Sequence, residues 1–130
     1  MIVLDASAAV DWLLRTVPGQ RIEERIYSRN ETLHCPHLLD LEVAQVLRRL
    51  VSESAISGRR AAEAIEDLSN LRISRYRHDV FLPRIWHHRN NLSAYDASYV
   101  CLAESLAAPL ITRDNRLAAA PGHSAKIELF

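Results

Sequence analysis

The sequence predicts an α/β sandwich built on a mostly parallel sheet, and three observations carry that expectation. Short apolar strands alternate with helical stretches along the whole chain. The 130 residues suffice for one compact domain with a sizeable core and are too few for two ordinary ones. Finally, Asp5 and Asp114 fall just beyond strand exits, where ligands gather in open sheets of this kind.

The elements follow in order. The opening IVLD is a short apolar run that ends in a carboxylate, and the small residues of ASAAVDWLL, with Val10, Leu13 and Leu14 three to four apart, suit a helix. Pro18 and Gly19 punctuate a second helical stretch to about Arg29, and TLHC before Pro36 reads as a second strand. A helix from His37 to about Ser54 carries Leu39, Val43, Val46, Leu47 and Leu50 on one stripe, and Gly58 separates it from a shorter helix over 59–70. RISRY (72–76) fits a third strand. A helix over about 79–90 follows, with Pro83 near its first turn, and then another opened by Ser93 and running to Leu106. PLIT (109–112) reads as a strand leading into the short helix RDNRLAAA, and KIELF as a last strand after Pro121-Gly122.

Composition excludes several classes of protein. Hydrophobic residues make up 48% and charged residues 25%, which rules out a disordered tail or a fibre. Sixteen bases, all Arg except Lys126, balance sixteen acids, so no global field steers the molecule toward a polyanion. Cys35 and Cys101 have no CxxC partner, which argues against a disulfide framework or a zinc knuckle and suggests a reducing compartment. Residues 1–15 reach Asp5 and Asp11 too soon for a signal-peptide core, and the longest apolar stretches are broken by Glu104 and Pro109. A soluble cytoplasmic protein is expected.

Four carboxylates are the candidates for chemistry. Asp5, at a strand exit, points toward the ligand crevice, although Asp also starts turns and caps helices. Glu42 shares a helix face with Leu38, Leu39 and Val46, where an unpaired carboxylate is costly; its i+3 neighbour is Gln45, and Arg49 lies two turns away. Asp96 closes Ser93-Ala94-Tyr95-Asp96, the shape of a capping box. Asp114 follows Thr112 in T-R-D-N, where Thr112 would cap and Asp114 complement the helix dipole. Capping explains each of the three aspartates singly but not the joint pattern. Four converging carboxylates would repel one another unless a cation neutralised them. Mg²⁺ or Mn²⁺ suits such oxygens, and the reaction best served is hydrolysis of a phosphodiester.

The stretch LSAYDASYVCLAESLAAPLITRDNRLA (92–118), with IVLDASA (2–8) and PHLLDLEVAQVL (36–47), resembles the PIN-domain ribonucleases, most closely the VapC-type toxins of bacterial toxin–antitoxin pairs. The resemblance covers essentially the whole chain as one domain over residues 1–130. It implies a three-layer α/β sandwich with a doubly wound, five-stranded parallel sheet. Asp5, Glu42, Asp96 and Asp114 would be the acidic quartet that holds Mg²⁺ or Mn²⁺, with Ser7 and Thr112 orienting the carboxylates or metal waters. A homodimer, an RNA substrate and an antitoxin whose C-terminal segment covers the site are also implied. Where some PIN domains carry a further acid after the fourth, this chain has Asn115, Arg116 and Leu117, so a second metal would be held less firmly.

Other residues point less sharply. No i, i+4 His pair exists to suggest zinc, and the adjacent His87 and His88 diverge by about 100° on a helix. Trp12 and Trp86 suit interface anchors better than base platforms. Of the Arg groups, Arg113 and Arg116 flank Asp114 and are the candidates for RNA phosphate contact. Helices carrying Trp12, Leu13, Leu38, Leu39 and Val46 are expected to leave apolar surface that a partner helix covers. The rival reading is a PIN-like scaffold that binds RNA or protein without cutting, but a scaffold needs only cap chemistry, and Glu42 caps nothing. A phosphatase of similar topology would show DxD at the first strand, whereas Ala6 and Ser7 follow Asp5 here.

Overall fold

The structure, a computed structural model, describes residues 1–130. Five three- or four-residue strands form one sheet: β1 (Ile2–Leu4), β2 (Leu33–Pro36), β3 (Ile73–Tyr76), β4 (Leu110–Thr112) and β5 (Ile127–Leu129). Every pairing is parallel and the order is β3-β2-β1-β4-β5. β1, β2 and β4 are buried along their whole length, whereas the edge strands β3 and β5 are only partly so.

Parallel strands need crossover helices, and their right-handed sense fixes the layers. The chain moves outward from β1 to β3 through α1 (Ala6–Leu13), α2 (Val17–Ser28), α3 (Leu39–Ser52) and α4 (Gly58–Asn70), which contact one another on one face. It then returns across the sheet through α5 (Leu82–His87) and α6 (Ala94–Leu106), with α6 against β1, β2 and β4, and goes on through α7 (Asn115–Ala119) to β5. The direction reverses between β1 and β4, which makes the carboxyl ends of those two strands the crevice of the sheet.

Caps define most helix starts. Asp5, Thr16, Ser57, Ser93 and Asp114 each accept a backbone N–H from the first turn of the helix they precede. Helix α3 has no side-chain cap and begins at Leu39, two residues later than the pattern suggests. The helix expected over 79–90 is divided into a 3-10 turn (Asp79–Phe81) and α5. Pro83 is the cause: its ring would meet the carbonyl of Asp79 in a continuous α-helix, so α5 starts afresh with Pro83 in its first turn.

Gly19 is also not the turn residue its pairing with Pro18 suggests. It lies inside α2, where a Cβ would stand 2.0 Å from the carbonyl oxygen of Asp11, so its missing side chain lets α2 close onto α1. The apolar residues expected at the surface are mostly core. Trp12, Leu13 and Leu39 are buried, and Leu38 and Val46 pack against the same cluster, because α1 and α3 press on each other as well as on the sheet. Large exposed side chains are found elsewhere, at Val17, Tyr27, Leu41, Val80 and Trp86. Cys35 and Cys101 are buried and unbonded to each other. No helix is long and apolar enough to cross a membrane.

Candidate active site

Four elements deliver acids to the crevice between β1 and β4. Asp5 ends β1 and caps α1, Asp114 follows β4 and caps α7, Glu42 stands in the first turn of α3, and Asp96 in the first turn of α6. Glu42, Asp96 and Asp114 line an open cleft of about 450 Å³ together with Asn91, Ser93, Tyr95 and Arg116. Asp5 lies beneath it, 6% exposed, and its charge is felt by both Glu42 and Asp96.

A hydroxyl network fixes Asp5. Its Oδ1 accepts the Ala6 amide at 2.8 Å, and its Oδ2 accepts Ser7 Oγ at 2.5 Å and Thr112 Oγ1 at 2.7 Å. Thr112 Oγ1 in turn accepts the Asp114 amide at 3.0 Å, and Ser7 Oγ accepts the Arg113 amide at 2.9 Å. The turn after β4 is thus tied to the first residues after β1. In the expected arrangement Thr112 capped α7; instead Asp114 does so, its Oδ1 accepting the amides of Arg116 at 2.7 Å and Leu117 at 3.4 Å. The fully buried Thr112 is turned toward Asp5, where a buried hydroxyl finds its partner.

The electrostatics record the crowding. Burial, then the charges of Asp5 and Asp96, push the Glu42 carboxyl up to about 7 against the opposing hydrogen bond from Tyr99. Burial and the charges of Asp5 and Asp114 likewise raise Asp96, opposed by Ser93 and Arg116. Tyr99, wholly buried on α6, donates from its hydroxyl to Glu42 Oε1 at 3.0 Å. This partner escaped the reading of the sequence. The signal was present, since Tyr99 is three residues beyond Asp96 and so shares its helix face.

The donor set is all hard oxygen, as Mg²⁺ or Mn²⁺ requires. Glu42 Oε2 and Asp114 Oδ2 accept no hydrogen bond from the protein, which leaves them available. No three His, Cys, Asp or Glu side chains close on one point at direct-ligation distance. An open cleft lined by carboxylates suits an ion that keeps several waters better than a closed cage of the zinc type.

Of the two flanking arginines, only Arg116 lines the cleft. Arg113 is held elsewhere: its Nε donates to Asp11 Oδ2 at 2.9 Å and its Nη1 to the carbonyl of Phe130. Trp12 is buried and Trp86 is exposed on α5, its ring under the Arg89 guanidinium at 5.2 Å, so neither lines the cleft. The aromatic residue that does so is Tyr95.

Residues 2–122 match the PIN domain family. The chain is 40% identical over 129 residues to ribonuclease VapC12 of Mycobacterium tuberculosis, covering 99% of this chain and 98% of that protein. It is 43% identical over 117 residues to ribonuclease VapC9 of the same organism, covering 90% and 88%. Among solved structures, M. tuberculosis VapC20, a toxin that cleaves the sarcin-ricin loop, superposes with a TM-score of 0.66 at 14% identity, covering 92% of this chain and 94% of that one.

Proposed function

The chain belongs to the PIN domain family as a ribonuclease toxin of the VapC type, and from that premise we propose that it cuts RNA at the acidic cleft, with Asp5, Glu42, Asp96 and Asp114 holding a Mg²⁺ or Mn²⁺ ion. The observation that carries the site is the meeting of four carboxylates, brought by four separate elements, at the reversal point of the sheet. An RNA backbone is an anion and would be repelled by such a site. Held there by these carboxylates, a divalent ion would supply the missing positive charge, and with it polarisation of the phosphoryl group and a more acidic water.

The protein's own contribution is orientation. Ser7, Thr112 and the Ala6 amide hold Asp5 in one rotamer at the floor of the cleft, and the Tyr99 hydroxyl holds Glu42 from the side of α6. Asp96 and Asp114 reach the cleft from helix starts, where partial positive charge favours carboxylates. Glu42 caps no helix and pairs with no cation; its one structural bond is the one it accepts from the buried Tyr99 hydroxyl, which leaves Oε2 free for an ion.

A VapC toxin has an antitoxin partner and an RNA substrate. Homodimerisation belongs to the proposal, and the exposed Leu41, Val80, Leu82 and Trp86 offer apolar area for a protein contact. The buried free thiols suit the cytoplasm. Cleavage of purified RNA should require Mg²⁺ or Mn²⁺, stop on chelation with EDTA, and return when the ion is restored in excess. Cleavage that survives chelation would overturn the metal assignment.

A further inference from the structure

The segment over residues 121–126, which joins α7 to β5, is a strap held against the junction of α5 and α6. Its firm attachment is Ser124, whose amide and hydroxyl both donate to Glu104 Oε1 on α6, at 2.8 and 3.0 Å. Glu104 Oε2 accepts Arg84 Nε of α5 at 2.8 Å, so one carboxylate ties the strap to both helices. Gly122 closes on the loop after α5: its φ is +88°, and a Cβ there would stand 2.7 Å from Asn91 Nδ2. Between these two points the strap brings His123 to the end of α5, where its charge acts on His88. Packing at that contact leaves polar atoms without partners. Nε2 of His88 and both ring nitrogens of His123 are shut off from solvent and meet no hydrogen-bond partner, and His88 as a whole is only 3% exposed. Buried polar atoms are paired as a rule, because an unpaired one forfeits its hydration without return. Opening the contact would give that hydration back.

We propose that His88 and His123 form a proton-operated latch, and that in mild acid proton uptake by His88 frees the 121–126 strap from the α5–α6 junction while the sheet stays folded. Closed, the latch has no place for a charged imidazole. The groups that act on His88 are Glu104 on α6, Arg84 and His87 on α5, and His123 on the strap. Glu104 is the one acid among them, and both of its oxygens are already engaged by Arg84 and Ser124. Burial first, and after it the charges of Arg84, His87 and His123, hold His88 below its ordinary 6.5 against the pull of Glu104. Once the strap lifts, water reaches the ring and its ordinary affinity for a proton returns. The closed state is therefore fully favoured above 6.5 and loses ground as the pH falls below it. One unit below that value, uptake of a single proton multiplies the open fraction about tenfold. Asn91, against which Gly122 rests, also lines the acidic cleft, so the latch adjoins that site without belonging to it. The inference does not depend on what the cleft does.

The test follows the Ser124 amide of the full chain, labelled with ¹⁵N, by NMR. That amide is protected only by Glu104 Oε1, so it reports the strap directly. Its exchange with water, corrected for the intrinsic pH dependence of free amides, should rise about tenfold from about pH 7.5 to about pH 5.5. Amides of β1 and β4 should show no such rise. His88→Gln, which takes up no proton, should lose the response, and His87→Gln, altered at the exposed neighbour, should keep it. In the wild-type chain the His88 ring resonances should titrate over the same pH range as the change in Ser124 exchange, which reads the latch even where His88→Gln fails to fold. Ser124 exchange that does not respond to pH in wild type, a rise shared equally by β1 and β4, or a response that persists in His88→Gln would each overturn the inference. A His88 ring that titrates without any change at Ser124 would do the same. No arm of the test reads RNA cleavage, so its failure leaves the nuclease reading intact, and failure of that reading leaves the latch standing.

Discussion

At Asp96, capping and chemistry can be separated by exchanging one oxygen for nitrogen. The cap bond of α6 runs from the Asp96 amide to Ser93 Oγ at 3.1 Å and does not use the Asp96 carboxylate. Asp96→Asn should therefore change stability by no more than about 1 kcal/mol, the scale of a cap. If Asp96 holds the ion as proposed, cleavage should fall by a factor of about a hundred or more. Melting curves and a cleavage assay on the same preparation check both halves. Two histidines give a second prediction. Burial, then the N-terminal ammonium, lowers His34, and burial with the nearby Arg84, His87 and His123 lowers His88 against the pull of Glu104. The folded state therefore resists a proton that the unfolded chain takes up at about 6.5. Stability from this source is complete above that value and is lost as the pH falls through the depressed native range. The His88 contribution is read by difference: as the pH falls below about 6.5 the denaturant midpoint of wild type should lose ground to that of His88→Gln, whereas protonation of Glu42, whose carboxyl is pushed up to about 7, acts in both proteins alike and in the opposite sense. At this scale Asp5 and Asp114 were legible as acids at strand exits, Asp96 as part of a capping box and Glu42 as an acid on an apolar helix stripe. The role of Arg113 was not, because its partner Asp11 is 102 positions away, and Tyr99 was legible only as a neighbour of Asp96 on one helix face, its bond to Glu42 spanning 57 positions.

Elements were legible where a local signal decides them. The cap at Ser93, the stripe of α3 and the apolar runs of β1 and β4 each carry their own signal, and the observed bounds fall within a residue or two of the pattern. Where packing decides, the pattern misled. The sequence Pro18-Gly19 carries a turn signal, yet the residue is needed where α2 crosses the end of α1, a contact between elements that no window of sequence displays. Gly19→Ala should therefore destabilise the fold by about 1–3 kcal/mol, the usual cost of forcing extra volume into a packed contact, even though alanine is the better helix former. Gly58→Ala is the control, since a Cβ there meets nothing within 4 Å. Urea unfolding of the two variants separates propensity from packing: both stabilised would mean that α1 and α2 can part without cost.

On the scale of the whole molecule, the reversal of the sheet between β1 and β4 is what brings acids scattered along the sequence to one crevice. Each acid stands at a helix start or strand exit that is locally reasonable, and their mutual repulsion arises only when the chain has folded. Folding with the carboxylates charged and unpaired is therefore unfavourable, and a divalent ion that binds only the folded state should raise the melting temperature, more so at higher ion concentration. That rise should be much reduced in Asp96→Asn, whereas a general salt effect would treat both proteins alike. The most direct measurement is an anomalous difference map from crystals soaked in MnCl₂, collected at the manganese edge. A peak in the cleft among Asp5, Glu42, Asp96 and Asp114, lost in Asp96→Asn crystals, is the expected result. An empty cleft at saturating Mn²⁺, in crystals of protein that cleaves RNA in the same solution, would contradict the account.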